Sequence, residues 1–360
     1  MEAVLAEDKK EQKRFLDFRK KLYRDNGIFV DNSYFMIKEV FAGKTSFTRN
    51  KKIYPLNIVQ DGEVLCQGIV VYASDLPEYI QLCFFESLEN NAQAVRLLTD
   101  RAVQYGRENN CGKLVAGLNG HVNYGLGFLC SHYDEPNSFS AAANPEFYNG
   151  YFKDAGFDVI KLNSYLIKAV DGRLDRYKGI IDKIDRNYEF RRFDKKRFDY
   201  YSKIYTDLNN QAFGGHRYYF KRNYQEDREM LKELFLFMKE DSLIFAFDGD
   251  RPAAFIMWYP DFNELAKGGD IFGAKHFFRN ILYNQKIRTA KIMEYGVLEE
   301  YRKAGLPMGL INQVFLSLKN YGTDRVETSW ILDENKDSNS FCRALCDCGY
   351  KEFAVYEKKL

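Results

Sequence analysis

Arg302, Lys303 and Gly305 occupy a turn between an apolar strand, KIMEYGVL from Lys291, and an amphipathic helix whose apolar residues run through LINQVFLSLKNYG from Leu310. A helix start presents unpaired backbone N–H groups and the positive end of a dipole, so it binds phosphate readily. Glycine has no Cβ and lets backbone approach a ligand. Two cations beside it supply the charge a pyrophosphate needs. The stretch 291–321 therefore reads as a phosphate cradle, and the sequence concentrates its chemistry there. Other constellations are weaker. Cys342, Cys346 and Cys348 are spaced C-x-x-x-C-x-C with no nearby His, short of the four ligands a structural zinc site requires; they read as small core residues, and no metal is expected. The four His residues form no Ser/His/Asp or Cys/His arrangement by spacing.

The elements that must position this cradle need more than one core. At 360 residues the chain suggests two domains. It is 46% hydrophobic and 29% charged, hence globular. Aromatic residues make up 16%, which fits either large aromatic cores or a generous acceptor groove. A net charge of +2 gives a nucleic-acid role no support. Seven scattered Cys and no secretory signal point to the cytoplasm. No apolar run approaches the ~20 residues that span a bilayer, so no membrane partner is expected. The basic segment around Phe15, Phe18 and Leu22 reads as a packing helix.

Along the chain, two halves repeat one order of elements, which predicts an α/β (α+β) fold with mixed sheets. In the first half, helices are expected at 10–24, 91–109 and near 145–155. Strands are expected at 34–41, 52–60, 64–73, 80–85, 113–118 and 159–168, with a turn at Asp61-Gly62. In the second half, strands fall at 188–193, 243–247, 253–259, 291–298, 325–331 and 353–358. Helices are expected there at 194–212, 224–239, 308–320 and 338–347. The domains are thus 1–170 and 188–360, joined by a charged connector at 171–187. The first half offers Glu86-Ser87-Leu88-Glu89-Asn90-Asn91 where the second has its cradle. Carboxylates before a helix occupy its N–H groups and repel pyrophosphate, so this half is expected not to bind such a ligand. Gly117, Asn119, Gly120, His121, Asn123 and Gly125 form a loop read either as a ligand wall or as an Ω-loop. The aromatic stretch 198–220, with Tyr200, Tyr201, Tyr205, Phe213, Tyr218, Tyr219 and Phe220, could wall an apolar pocket, though most of these are expected to fill a core. Segment 260–287 reads as a lid or an insertion.

Val297 followed by Glu300-Tyr301-Arg302-Lys303-Ala304-Gly305-Leu306-Pro307 resembles the acetyl-CoA-binding motif of the GNAT acyl-CoA N-acyltransferase superfamily, a strand valine followed by R/Q-x-x-G-x-G/A. Arg302 and Gly305 fall in register; Pro307 stands where the family has Gly or Ala. Glu327 through Asn335, Gly349-Tyr350, Tyr356-Glu357-Lys358, Asn144 through Tyr148, Ala155-Gly156-Phe157 and Phe18 through Tyr23 are similar to a bacterial group of tandem GNAT-like proteins.

This resemblance implies two tandem GNAT-like domains and an acetyl-CoA or other acyl-CoA co-substrate held by the second. Its pantetheine would pair with the backbone of Tyr295, Val297 and Leu298, and its pyrophosphate would lie on Arg302, Lys303, Ala304, Gly305, Leu306, Pro307 and Met308. Asn335 would meet the cofactor arm, or cap the following helix. A bulge in the strand, which Gly296 would suit, would offer an oxyanion donor. Glu294 is the candidate base, with a salt-bridged or exposed carboxylate as the plainer reading. The family's thiolate acid is a Tyr where this chain has Leu345, and Tyr356 is the substitute nearest in sequence. An N-acyltransferase acting on a small-molecule or peptide amine follows. Two alternatives stay open: a Fem-like aminoacyl or peptidyl transferase using aminoacyl-tRNA, and a non-catalytic GNAT-like binding protein.

Overall fold

A computed structural model gives the fold and describes residues 1–43, 46–169, 172–346 and 348–360. One mixed sheet runs through the molecule in the spatial order Glu2–Leu5, Lys51–Gln60, Glu63–Ala73, Tyr79–Ser87, Lys113–Ala116, Gly349–Lys359, Asp158–Lys168, Arg325–Thr328, Thr289–Val297, Arg251–Pro260, Leu243–Asp248, Glu189–Arg192. The hairpin expected at Asp61-Gly62 forms, and a second joins Leu243–Asp248 to Arg251–Pro260. Asp61 and Gly62 take φ of 50° and 84°, and Gly249 takes 58°, the left-handed backbone that tight two-residue turns demand.

The two ends of this sheet are built alike. In each, an outer hairpin leads to a strand, a long helix (Ala92–Glu108 or Leu306–Leu318) and a parallel strand beside the first. Each half's last strand then leaves its own half. Asp158–Lys168 pairs with Arg325–Thr328, while Gly349–Lys359 pairs with Lys113–Ala116, and the two last strands pair antiparallel with each other. The connector carries a 3-10 turn, Asp175–Tyr177, and a helix, Lys178–Asn187. The boundary expected at Val170 and Asp171 lies outside the described residues.

Three expectations change. Residues 34–41, read as a strand, form the helix Tyr34–Ala42. Asp31 accepts from the backbone N–H groups of Ser33 and Tyr34, Ile37 and Val40 share the buried face, and Gly43 ends the helix at φ 63°. Glu86, read as part of the turn before a helix, belongs to the strand Tyr79–Ser87. Segment 260–287 holds the helix Ala274–Tyr283 and ties the halves together. Its Gly269 N–H donates to Phe29 O, and its Phe272 N–H donates to Asp31 O, at 2.8 and 2.9 Å. Gly268 lies so near Gly27 that a Cβ there would stand 1.9 Å from backbone carbon, so the crossing admits only glycine.

Candidate functional site

Thr289–Val297 and Arg325–Thr328 run parallel for only four residue pairs, ending at Ile292↔Thr328. Ser329 N–H closes the ladder on Ile292 O at 2.8 Å. Past that point the second chain turns away, and Ile331–Leu332 pairs with Asp158–Lys168 instead. The two strands thus splay. On the other flank, Met257 faces Glu294 and Trp258 faces Ile292, so Met293 is an extra residue with no ladder partner in either neighbouring strand. Such a bulge re-aims side chains and frees backbone. Ile292 and Tyr295 join the core beneath helix Leu306–Leu318, whereas Met293 joins the core of helix Phe198–Phe213. The bulge sits at Met293; Gly296, the position the sequence suggested, instead lies under the Phe255 ring, where a Cβ would come within 2.5 Å.

A cavity of about 150 Å³ fills the opening, lined by Met293, Glu294, Tyr295, Arg222, Tyr219, Trp330 and Asn335 among others. The Glu294 carboxylate accepts from the Tyr205 hydroxyl and pairs with Arg222 Nη1 at 3.4 Å. Arg222, itself buried, also meets Asp227 at 2.6 Å and Asn209 Oδ1 at 2.7 Å. Burial pushes the Glu294 carboxyl above its ordinary value, opposed by Arg222 and by the Tyr205 bond. Burial holds the Tyr205 hydroxyl well above its ordinary value, so it stays a donor. Tyr295, also on the cavity wall, donates to Ser338 Oγ at 3.0 Å and is pushed up to about 12, chiefly by burial.

At the far end of the strand, Gly305 takes φ 81° and caps helix Leu306–Leu318, with Pro307 in the first turn. Arg302, Lys303 and Ala304 are exposed. Arg302 Nη2 donates to Ala212 O at 3.2 Å, docking the turn on the end of helix Phe198–Phe213. Val297, Leu298, Leu306 and Met308 bury their side chains in the core, leaving only backbone for a ligand.

The structure therefore brings Glu294, Tyr295 and Asn335 to one cavity and sets Arg302 through Met308 beyond it on the same strand–turn–helix. Asn335 lines the cavity, and its Oδ1 caps the next helix by accepting from Ser338 N–H at 3.1 Å. Tyr356 is not brought there. The exchanged last strand carries it into the first half's core, where it stacks on Phe152 and its hydroxyl donates to Asn149 Oδ1 at 2.8 Å. Leu345 is a buried core residue. Arg222, Asp227 and Asn209 carried no sequence signal; Tyr205, Phe213 and Tyr219 were visible only as part of an aromatic-rich stretch.

The first half repeats the geometry with its carboxylate sealed. Phe84, at φ 49°, bulges its strand, and Gly117, at φ 94°, begins the splay. Glu86 is 3% exposed, bonded to Arg19 and to the hydroxyls of Tyr23 and Tyr148 at 2.6 and 2.8 Å. The Asn91 N–H at the following helix start is taken by the Tyr151 hydroxyl at 3.0 Å. A cavity of about 500 Å³ lies on this side, walled in part by Gly117, Asn119, Asn123 and Gly125. It meets the smaller cavity at Met293, Tyr259, Ser140, Asn123 and Gly125. Among the described residues, no cluster of His, Cys, Asp and Glu could hold a metal ion, and no helix is long and apolar enough to cross a membrane.

Two mixed-sheet units with a bulged strand, a splay and a helix behind it define the tandem GNAT fold, and this chain has it. It superposes on a tandem GNAT protein from the clavulanic acid biosynthesis pathway with a TM-score of 0.54 at 12% identity, covering 99% of this chain and 98% of that one. A probable N-acyltransferase of unknown function from Enterococcus faecalis V583 gives 0.53 at 8% identity, covering 99% and 72%. Likeness at these identities is one of fold. In sequence, the chain is similar to Protein YghO of Escherichia coli (strain K12), 21% identical over 282 residues, 75% of this chain and 72% of that protein. It is also similar to Bacterial ceramide synthase of Caulobacter vibrioides (strain NA1000 / CB15N), 25% identical over 179 residues, 47% of this chain and 46% of that one. No family model matches.

Proposed function

We propose that this protein is an acyl-CoA-dependent N-acyltransferase whose co-substrate lies in the second half, with the halves dividing at 1–170 and 188–360. The observation that carries the reading is the bulge at Met293 beside the splay, with the Glu294 carboxylate in the opening. The GNAT fold and the kinship with a ceramide synthase support the same class.

The residues fit the co-substrate. Backbone of Tyr295 to Leu298 would hold the pantetheine arm as an added strand. The exposed cations Arg302 and Lys303, with the helix start after Gly305, would hold the pyrophosphate. Pro307, the second residue of the helix, removes one donor from that first turn, where backbone N–H groups have no partner within the helix. When bound, acyl-CoA supplies an activated thioester carbonyl. Glu294 takes the proton of the attacking amine, and its raised pKa suits a base working nearer neutrality. Arg222 and Tyr205 hold that carboxylate in one orientation. Tyr295, on the wall of the same cavity and protonated across the physiological range, is the proton donor, in the role for which the resemblance expects a Tyr at position 345. Holding amine and acyl donor together supplies much of the rate, since effective molarities reach roughly 10⁵ M. The first half, with Glu86 saturated and its helix start occupied, shapes the acceptor side and binds no CoA.

Calorimetry with acetyl-CoA and longer acyl-CoAs tests this. One site per chain, lost in Gly305→Glu, is expected; no binding, or binding unchanged in that variant, overturns the reading.

A further inference from the structure

The helix Ala274–Tyr283 is inside out. Its inward face carries polar side chains: His276 Nδ1 accepts from Gly273 N–H at 3.0 Å, its Nε2 faces Asp270 at 3.1 Å, and Asn280 Nδ2 donates to Phe237 O at 3.1 Å. Its outward face carries Phe278, Ile281 and Leu282, exposed by 62%, 59% and 70%. Leu236, beside the Phe237 that Asn280 holds, is 62% exposed as well. Phe35 extends the surface, its ring so close over Gly273 that a Cβ there would meet it at 2.7 Å. A surface helix normally buries its apolar stripe. A contiguous apolar surface left outside marks a docking face.

Two further observations say what covers it. First, the chain from Lys267 to Arg288 holds five basic side chains and one acid, Asp270, which Lys275 and Arg279 share. Lys267, Lys275, Lys286 and Arg288 are exposed in this stretch, and Lys38 stands 5.8 Å over the Phe35 ring. Second, the larger cavity is walled by Phe35, Met36, Phe237, Phe272 and Gly273, residues of the same surface, with Glu39, Glu229 and Glu233 on its wall as well. An apolar stripe with a cationic rim matches the interfacial depth and anionic headgroups of a bilayer. A second copy of this chain would set two cationic rims against each other.

We propose that this helix seats the protein on an anionic lipid bilayer surface, with the large cavity behind Phe35 open to a hydrocarbon chain drawn from that surface. The docking face stands without the acyl-CoA reading. An interfacial helix would make the bilayer a partner where the sequence led us to expect none, and it needs no spanning segment.

Sedimentation of the protein with unilamellar vesicles tests it. Vesicles of phosphatidylcholine with about one-third phosphatidylglycerol should carry the protein down, phosphatidylcholine alone far less, and high salt should release it. Phe278→Ser with Leu282→Ser, both at exposed positions, should cut partitioning about tenfold or more while leaving the melting temperature near the parent's. Absence of binding to the anionic vesicles, or binding that the double variant leaves intact, overturns the proposal. So does a dimer in light scattering that the double variant dissociates, because the face would then belong to a second copy. Acetyl-CoA calorimetry on the same preparations reads the acyltransferase proposal separately.

Discussion

Arg222 Nη1 lies 3.4 Å from a Glu294 carboxylate oxygen, joining a loop residue to the bulged strand at the wall of the smaller cavity. Glu294 acts as a base only when ionised, and burial raises its pKa. The acid limb of kcat/KM should therefore lie above the ordinary Glu value, with activity rising as pH rises through it. Glu294→Gln should remove that limb and lower kcat by roughly 10²-fold or more. Arg222→Met removes the cation that favours the carboxylate, so the limb should move to higher pH. The pH profile, taken with an amine returned by an acyl-transfer screen, checks both; a limb unmoved in Arg222→Met would show that the pair does not set the base.

Gly305 caps its helix at φ 81°, with Ile180 and Ile184 standing 3.3 and 3.4 Å from where a Cβ would lie. Gly305→Ala should cost about 1–2 kcal/mol in urea unfolding, because an L-residue is strained in the left-handed region and the contacts must give. Acyl-CoA affinity should fall far less in Gly305→Ala than in Gly305→Glu, since only the latter adds a charge opposed to pyrophosphate. Equal losses would place the effect in folding alone.

Tyr356 is held in the first half's core by Asn149 and Phe152. Tyr356→Phe keeps the stack and loses one hydrogen bond, so stability should drop by about 1 kcal/mol and kcat should stay put. A large fall in kcat with unchanged stability would return this tyrosine to the chemistry. Removing residues 349–360 is a different matter. That strand pairs with Lys113–Ala116 on one side and Asp158–Lys168 on the other, so circular dichroism should show neither half folded.

Asp261 is 7% exposed, and burial pushes its carboxyl up to about 7, against the bond from Phe139 N–H at 2.8 Å. Its folded pKa exceeds the unfolded one. The stability it contributes is therefore full below the ordinary Asp value, about 3.8, and is lost as pH rises through about 7. Asp261→Asn keeps an acceptor for the Phe139 and Asn263 N–H groups and abolishes the titration. The variant should gain on the order of 1–3 kcal/mol over the parent at pH 8 and much less at pH 4. Urea denaturation at the two pH values reads the difference, and an equal effect at both would refute it.

The strand, turn and helix around Gly305 were legible because their signals are local. A glycine at a left-handed position, a turn at Asp61-Gly62 and apolar periods within each element depend on a residue's near neighbours. Helix Tyr34–Ala42 was misread as a strand because a run as short and apolar as YFMIKEVF suits either period. The Asp31 cap that decides it also anchors a backbone bridge to Ile271, a partner far along the chain. The bulge was foreseen in kind but not in place. Close packing of Phe255 accounts for Gly296, while Met293, an ordinary strand residue by type, carries the bulge.

By itself, then, the sequence determined the mixed α/β order of the elements and the strand–turn–helix at Gly305, and it singled out Glu294 as a candidate. Only the tertiary structure decided which groups stand around that carboxylate and where Tyr356 goes. The alternation of a strand records which of its faces is buried, not which strand lies beside it. Exchange of the two last strands is therefore invisible in their residues, and it is this exchange that carries Tyr356 away from the cavity. Arg222 reaches Glu294 across 72 positions of sequence, a distance over which no local pattern operates and only packing can choose the partner.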